Sequence, residues 1–127
     1  MKFALIAHDG KKAEMLTFLR DNLKLFKRDD IILVSTGTTG KHVENAGLSV
    51  HRYLSGPLGG DAQIAAEVAE ARIDAVFFFR DPLDKHPHEP DIAMLMRLCD
   101  VHNIPLATNP ATAKLVFEGL LGRKDQI

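Results

Sequence analysis

Short apolar runs alternate along this chain with stretches in which apolar residues recur every three or four positions. Residues 3–7 (FALIA), 31–34 (IILV) and 75–79 (AVFFF) predict buried strands, and 104–107 (IPLA) predicts a fifth strand at the far end. The more polar run 50–54 (VHRYL) predicts a strand nearer a sheet edge. Between these runs the spacing is helical. Leu16, Leu19, Leu23 and Phe26 share one face of a helix over 11–26, and 41–46 predicts a short helix stopped by Gly47. Ile64, Val68 and Ala71 share a face over 60–72, and Ile92, Leu95, Met96 and Cys99 do so over 90–102. A last helix over 111–121 would turn Val116 and Leu120 inward.

Strand–helix alternation with uniformly apolar strands predicts an α/β fold: a mostly parallel five-stranded sheet, doubly wound, with helices on both faces. The chain has 127 residues, 46% hydrophobic and 26% charged, which suits one domain spanning 1–127. Net charge is −1, no long Lys/Arg run occurs, and Trp is absent, so nucleic acid is not expected as a partner. One cysteine permits no intrachain disulfide, and the opening apolar run of five residues is too short for a signal segment or membrane span. A cytoplasmic protein without membrane contact is expected.

In open parallel sheets, ligands bind beyond the carboxyl ends of the strands. The residues there carry chemistry: His8 and Asp9 after the first run, STGTTG (35–40) after the second, and SGPLGGD (55–61) after the third. Arg80 and Asp81, followed by His86-Pro87-His88, stand after the fourth, and Thr108 and Asn109 after the fifth. The hydroxyls and bare backbone N–H groups of 35–40, placed before a helix, suit a phosphate, although no Walker or dinucleotide fingerprint is present. The plainer reading is a threonine cap with glycines for the turn. Ser55-Gly56 is a second possible anion cradle, and Lys12 either compensates charge or is a solvated lysine. Asp61 is either a helix cap or a base for a proton beside a carbonyl. His86-x-His88 with Asp91 reads as a weak metal motif, as an acid/base histidine oriented by a carboxylate, or as a solvated turn. Cys99, on an apolar helix face, reads as core; His42, His51 and His102 read as surface.

Taken together, AHD (7–9) with Lys12, TGTTG (36–40), SGPLGGDAQ (55–63), RDPL with PHEPD (80–91) and IPLATN (104–109) resemble the methylglyoxal synthase family. The resemblance runs from about residue 3 to about residue 113. It implies a carbon–oxygen lyase that converts dihydroxyacetone phosphate to methylglyoxal and inorganic phosphate without metal or organic cofactor, usually as a homohexamer inhibited by phosphate. By resemblance, Asp61 takes the substrate proton, His88 serves the substrate oxygens, and Asp81 and Asp91 are carboxylates around the site. Lys12, Thr36, Gly37, Thr38, Thr39, Ser55 and Gly56 match phosphate-binding positions, His8 matches a ligand-contacting histidine, and Asp9 a neighbouring acidic position. The same fold also serves as a regulatory ligand-binding domain of carbamoyl phosphate synthetase, the alternative to an enzyme. Longer family members carry a C-terminal arginine near a neighbouring subunit's site. Arg123 does not align to it, so the resemblance carries over the core chemistry rather than intersubunit phosphate signalling.

Overall fold

The computed structural model describes residues 1–125. Five strands, β1 (Lys2–Ala7), β2 (Ile32–Ser35), β3 (His51–Arg52), β4 (Ala75–Phe79) and β5 (Leu106–Ala107), form one sheet in the order β3-β2-β1-β4-β5. Every pairing is parallel. Among the described residues six helices accompany them: α1 (Lys12–Asp21), α2 (Leu23–Phe26), α3 (Gly37–Asn45), α4 (Gly60–Ala69), α5 (Glu89–Val101) and α6 (Pro110–Asp125). Short 3-10 turns occupy Asp9–Lys11 and Gly56–Leu58.

The strands read as continuous apolar runs because both faces are covered, yet their side chains still alternate. Phe3, Leu5, Phe77 and Phe79 point to one face, where they meet Met15, Phe18, Leu19, Phe26, Val43 and Phe117. Ala4, Ile6, Val34, Val76 and Phe78 point to the other, against Ile64, Val68, Ile92, Leu95 and Cys99 of α4 and α5. On the first face the phenylalanines lock together, with Phe26 stacked on Phe117 at 4.5 Å and Phe3 edge-on to Phe77 at 5.6 Å. Cys99 is fully buried, as its helical face predicts.

Five expectations shift. Ala71, expected on the inner face over 60–72, lies beyond the end of α4, exposed and with φ 60°. The helix expected over 11–26 breaks at Asn22, whose side-chain amide donates to the Phe18 carbonyl (2.9 Å). Its buried face is Met15, Phe18, Leu19 and Phe26, with Leu16 and Leu23 only half-buried. In α6 the inward residues are Ala113, Phe117 and Leu121, while Val116 and Leu120 pack at the margin. Helix α3 begins four residues before the predicted 41–46, so the glycines and threonines of 37–40 are its first turn rather than a loop ahead of it. The outer strands, β3 and β5, shrink to two residues each because each has one neighbour to pair with.

The chain winds outward from β1 to β3 and then crosses back to lay β4 beside β1. That reversal opens a crevice at the carboxyl ends of β1 and β4. Gly60, next to the cleft-lining Asp61, packs tightly on the preceding loop. A Cβ there would stand 1.9 Å from the Leu54 carbonyl oxygen, which itself accepts the Gly37 N–H (3.1 Å). The obstacle is backbone, so it cannot swing aside. Gly60→Ala is expected to destabilise the fold by about 1–3 kcal/mol, read as a lower urea midpoint at unchanged slope.

Candidate active site

The crevice is a cleft of about 480 Å³. Asp61 stands at its floor, in the first turn of α4, fully buried. It does not cap its helix: the cap position belongs to Gly59 in the left-handed conformation (φ 110°), and no side-chain capping bond forms. Another side chain ties the loop down instead. Gln63 reaches back so that its Oε1 accepts the Leu54 N–H at 2.9 Å. Asp61 is therefore spared, and neither of its carboxylate oxygens has a hydrogen-bond partner. Its nearest charge partner is His88, with Nε2 3.3 Å from Oδ2. Burial raises the Asp61 pKa above its ordinary 3.8; the charges of His88 and His86 pull it down, and that of Asp91 pushes it up. A buried carboxylate that accepts no hydrogen bond and has a raised pKa is costly to the fold and suited to taking a proton.

His88 sits at the start of α5, 9% exposed, with Nδ1 unpartnered. Gly56 lies against both groups. A Cβ on it would fall 3.0 Å from His88 Nε2 and 3.2 Å from Asp61 Oδ2, so the missing side chain is what leaves room between them.

His8, 6% exposed, follows β1. Its Nδ1 accepts the Asp81 backbone N–H at 2.9 Å, which leaves that nitrogen without a proton. The neutral ring then carries its proton on Nε2, which is buried without a partner beside the cleft. Burial first, then the charges of His86, His88, Arg80 and Lys12, lower its pKa to about 4. At neutral pH His8 is an uncharged N–H donor.

The same cleft gathers anion-binding groups. Lys12 is 12% exposed, far from a solvated surface lysine. Its Nζ donates to the Ala7 carbonyl (2.7 Å) and stands 3.1 Å from Asp9 Oδ1, whose side chain is almost wholly exposed. Thr36 occupies the cap position of α3 but makes no side-chain capping bond, and of the first turn the Gly37 N–H is taken by the Leu54 carbonyl. Thr36, Thr38, Ser55 and Gly56 line the cleft.

Gly37 and Thr39 do not line it. The Gly37 N–H is committed to Leu54, and the Thr39 hydroxyl is buried against β1, accepting the Ala7 N–H (3.0 Å) and donating to the Ala7 carbonyl (3.3 Å). Asp81 and Asp91 also stand outside the lining. The Asp81 carboxylate accepts the Leu83 N–H (3.2 Å) and rests where a Gly10 side chain would be, 2.7 Å from that Cβ position. Asp91 lies in the first turn of α5 and reaches Asp61 through its charge. Pro57, Asp84, Lys85 and Pro87 do line the cleft and were not foreseen. Asp84, Lys85 and Pro87 belong to a polar, proline-punctuated stretch and Pro57 to the glycine-rich 55–61, and no periodicity tells which of their side chains face inward. Arg123 lies outside the residues whose side chains are described.

Comparison with known proteins identifies the family. Residues 14–108 match the family model of the MGS-like domain. The methylglyoxal synthase of Carboxydothermus hydrogenoformans is 57% identical over 121 residues, covering 94% of this chain and 98% of that one. That of Borrelia garinii subsp. bavariensis is 54% identical over 125 residues, covering 95% of each. The crystal structure of methylglyoxal synthase from Elizabethkingia anophelis superposes with a TM-score of 0.81 at 41% identity, over 91% of this chain and 75% of that one.

Proposed function

Because the chain belongs to the methylglyoxal synthase family and carries that activity, we propose how its own residues perform it on dihydroxyacetone phosphate. The observation that carries the proposal is the buried Asp61 carboxylate, without a hydrogen bond and 3.3 Å from His88, in a cleft that Lys12 and the start of α3 also line.

Asp61 removes a proton from the hydroxymethyl carbon beside the substrate carbonyl. The electron pair left behind forms an enediolate, and its negative oxygens need donors. His88 and the His8 Nε2–H supply them. The enediolate then expels phosphate from the neighbouring carbon, breaking the C–O bond and leaving the enol of methylglyoxal. Expulsion requires that C–O bond to stand out of the enediolate plane. An isomerase acting on the same substrate must hold it in plane. Lys12, the start of α3, Ser55 and Gly56 grip the phosphate, and so set the angle as well as the affinity. Gly37 and Thr39 assist by shaping that turn from behind. Asp81 holds His8 through its backbone, and Asp91 raises the basicity of Asp61 through its charge.

His8, His86 and His88 offer ligand atoms within 4.8 Å of one another, the spacing of a loose metal cluster. The Asp81 N–H on His8 Nδ1 argues against one, since the lone pair a metal needs at Nε2 is occupied by a proton. We read the trio as hydrogen-bonding imidazoles. Among the described residues, no helix is long and apolar enough to cross a membrane. Homohexameric assembly, inhibition by product phosphate and a cytoplasmic location are proposed on the family resemblance.

Incubation with dihydroxyacetone phosphate is expected to release methylglyoxal and phosphate in equal amounts, unchanged by EDTA. Phosphate without methylglyoxal would point to a hydrolase, and ligand binding with neither product to a regulatory module. Lys12→Met is expected to raise KM and weaken inhibition by phosphate in parallel, each about tenfold or more, since a charge-assisted bond to phosphate is lost. A changed kcat with unchanged KM would place Lys12 elsewhere in the mechanism.

A further inference from the structure

We infer that His86 is a positioning residue: it roofs the His8 ring, and together with the Asp81 backbone it keeps the His8 Nε2–H aimed into the cleft. The inference rests on the reading of His8 as a donor to the substrate. The two rings are stacked, with centroids 3.7 Å apart and planes 26° from parallel. The other rings near His8 meet it differently, Phe78 at 5.2 Å and 79° and His88 at 5.9 Å and 84°. Phe78 and His88 thus stand edge-on to it, and His86 alone among these three lies across a ring face.

A single hydrogen bond fixes one atom of an imidazole and leaves the ring free to tilt about it. His8 has one such bond, from Asp81. The stack removes the remaining freedom. Asp81 connects the two rings, since its N–H holds His8 and its carbonyl lies 3.5 Å from His86 Nε2. His86 is itself half-buried on the proline-rich loop before α5, so the loop that closes one side of the cleft also delivers the roof.

The roof also keeps His8 neutral. A protonated His8 would place a second N–H against the Asp81 N–H and lose that bond. The groups facing His8 oppose protonation as well: Lys12 from α1, Arg80 from the end of β4, and His86 and His88 from the loop and the start of α5. His86 contributes both cover and charge.

Long-range proton–nitrogen spectra of the full chain read the His8 tautomer and titration directly, and need no turnover. In the wild type, Nε2 is expected to carry the proton at neutral pH, with a midpoint at about 4. In His86→Ala the midpoint is expected to rise by about one unit or more as one ring face opens to water, with kcat about tenfold lower. His86→Phe, which restores a flat ring, is expected to recover most of both. A His8 tautomer and midpoint unchanged in His86→Ala would overturn the inference whatever the kinetics show. The donor role of His8 fails separately: a folded His8→Gln variant with wild-type turnover would overturn that role, while the effect of His86 on the His8 midpoint in the spectra would stand.

Discussion

Asp61→Asn is expected to lower turnover about 100-fold or more and, at the same time, to make the protein more stable at neutral pH. Both effects have one cause. The carboxylate is fully buried, neither oxygen has a hydrogen-bond partner, and its pKa is raised chiefly by burial. A raised folded-state pKa means that folding penalises the ionised form. The penalty is absent well below the ordinary carboxylate pKa of 3.8 and is felt in full above the raised value. Asparagine fills the same space without charge, so the gain in melting temperature is largest near neutrality and shrinks as the pH is lowered. The same shift makes the carboxylate a better base, and places the acid limb of the kcat/KM profile above the ordinary carboxylate range. Thermal melts and steady-state rates across pH, with both proteins, check the two halves together. A folded variant that makes methylglyoxal within about tenfold of wild type would remove Asp61 from the role of base.

His88→Gln is expected to cost about 100-fold in kcat while leaving affinity for inorganic phosphate within about threefold. The imidazole faces Asp61, whereas the phosphate is proposed to be held by Lys12, Thr36 and Ser55, which line the same cleft. His88 stands at the cap position of α5 without making a capping bond, so its loss should not loosen the helix. It also lowers the Asp61 pKa through its charge. Its replacement should therefore move the acid limb of the pH profile to higher pH, a signature that simple loss of packing would not give. Phosphate binding by calorimetry and kcat against pH separate these effects, and full turnover in the variant would exclude His88 from the mechanism.

How much of this was legible beforehand depended on how local each cause is. AVFFF matches β4 residue for residue, because five consecutive apolar side chains fit a strand buried on both faces. The cleft's location follows from the order of the chemistry along the chain, since His8, Ser55 and Asp61 all come after predicted strands. The inward face of α1 was misjudged by part of a turn because Met15 and Phe18 compete with Leu16 for the same stripe, and only the facing sheet decides between them. The start of α3 was misplaced because glycine and threonine are poor helix formers. The Gly37 N–H, held by Leu54 from a different segment, pays for that turn.

The ambiguity at Asp61 shows where reading along the chain ends. A carboxylate in the first turn of a glycine-led helix is, on sequence grounds, as good a cap as a base. Sequence by itself determined the alternation of strands and helices, the apolar faces, and the set of polar residues delivered to one sheet edge, because each depends on neighbours within a few positions. Only the tertiary structure decided that Gln63 ties the loop, that Asp61 faces His88, and that the Asp81 backbone sets the His8 proton. The last two link residues far apart in sequence, and the first turns on which of two nearby side chains reaches Leu54. A hydrogen bond or a desolvated charge depends on distances of a few tenths of an ångström, and those distances exist only once the sheet has brought the segments together.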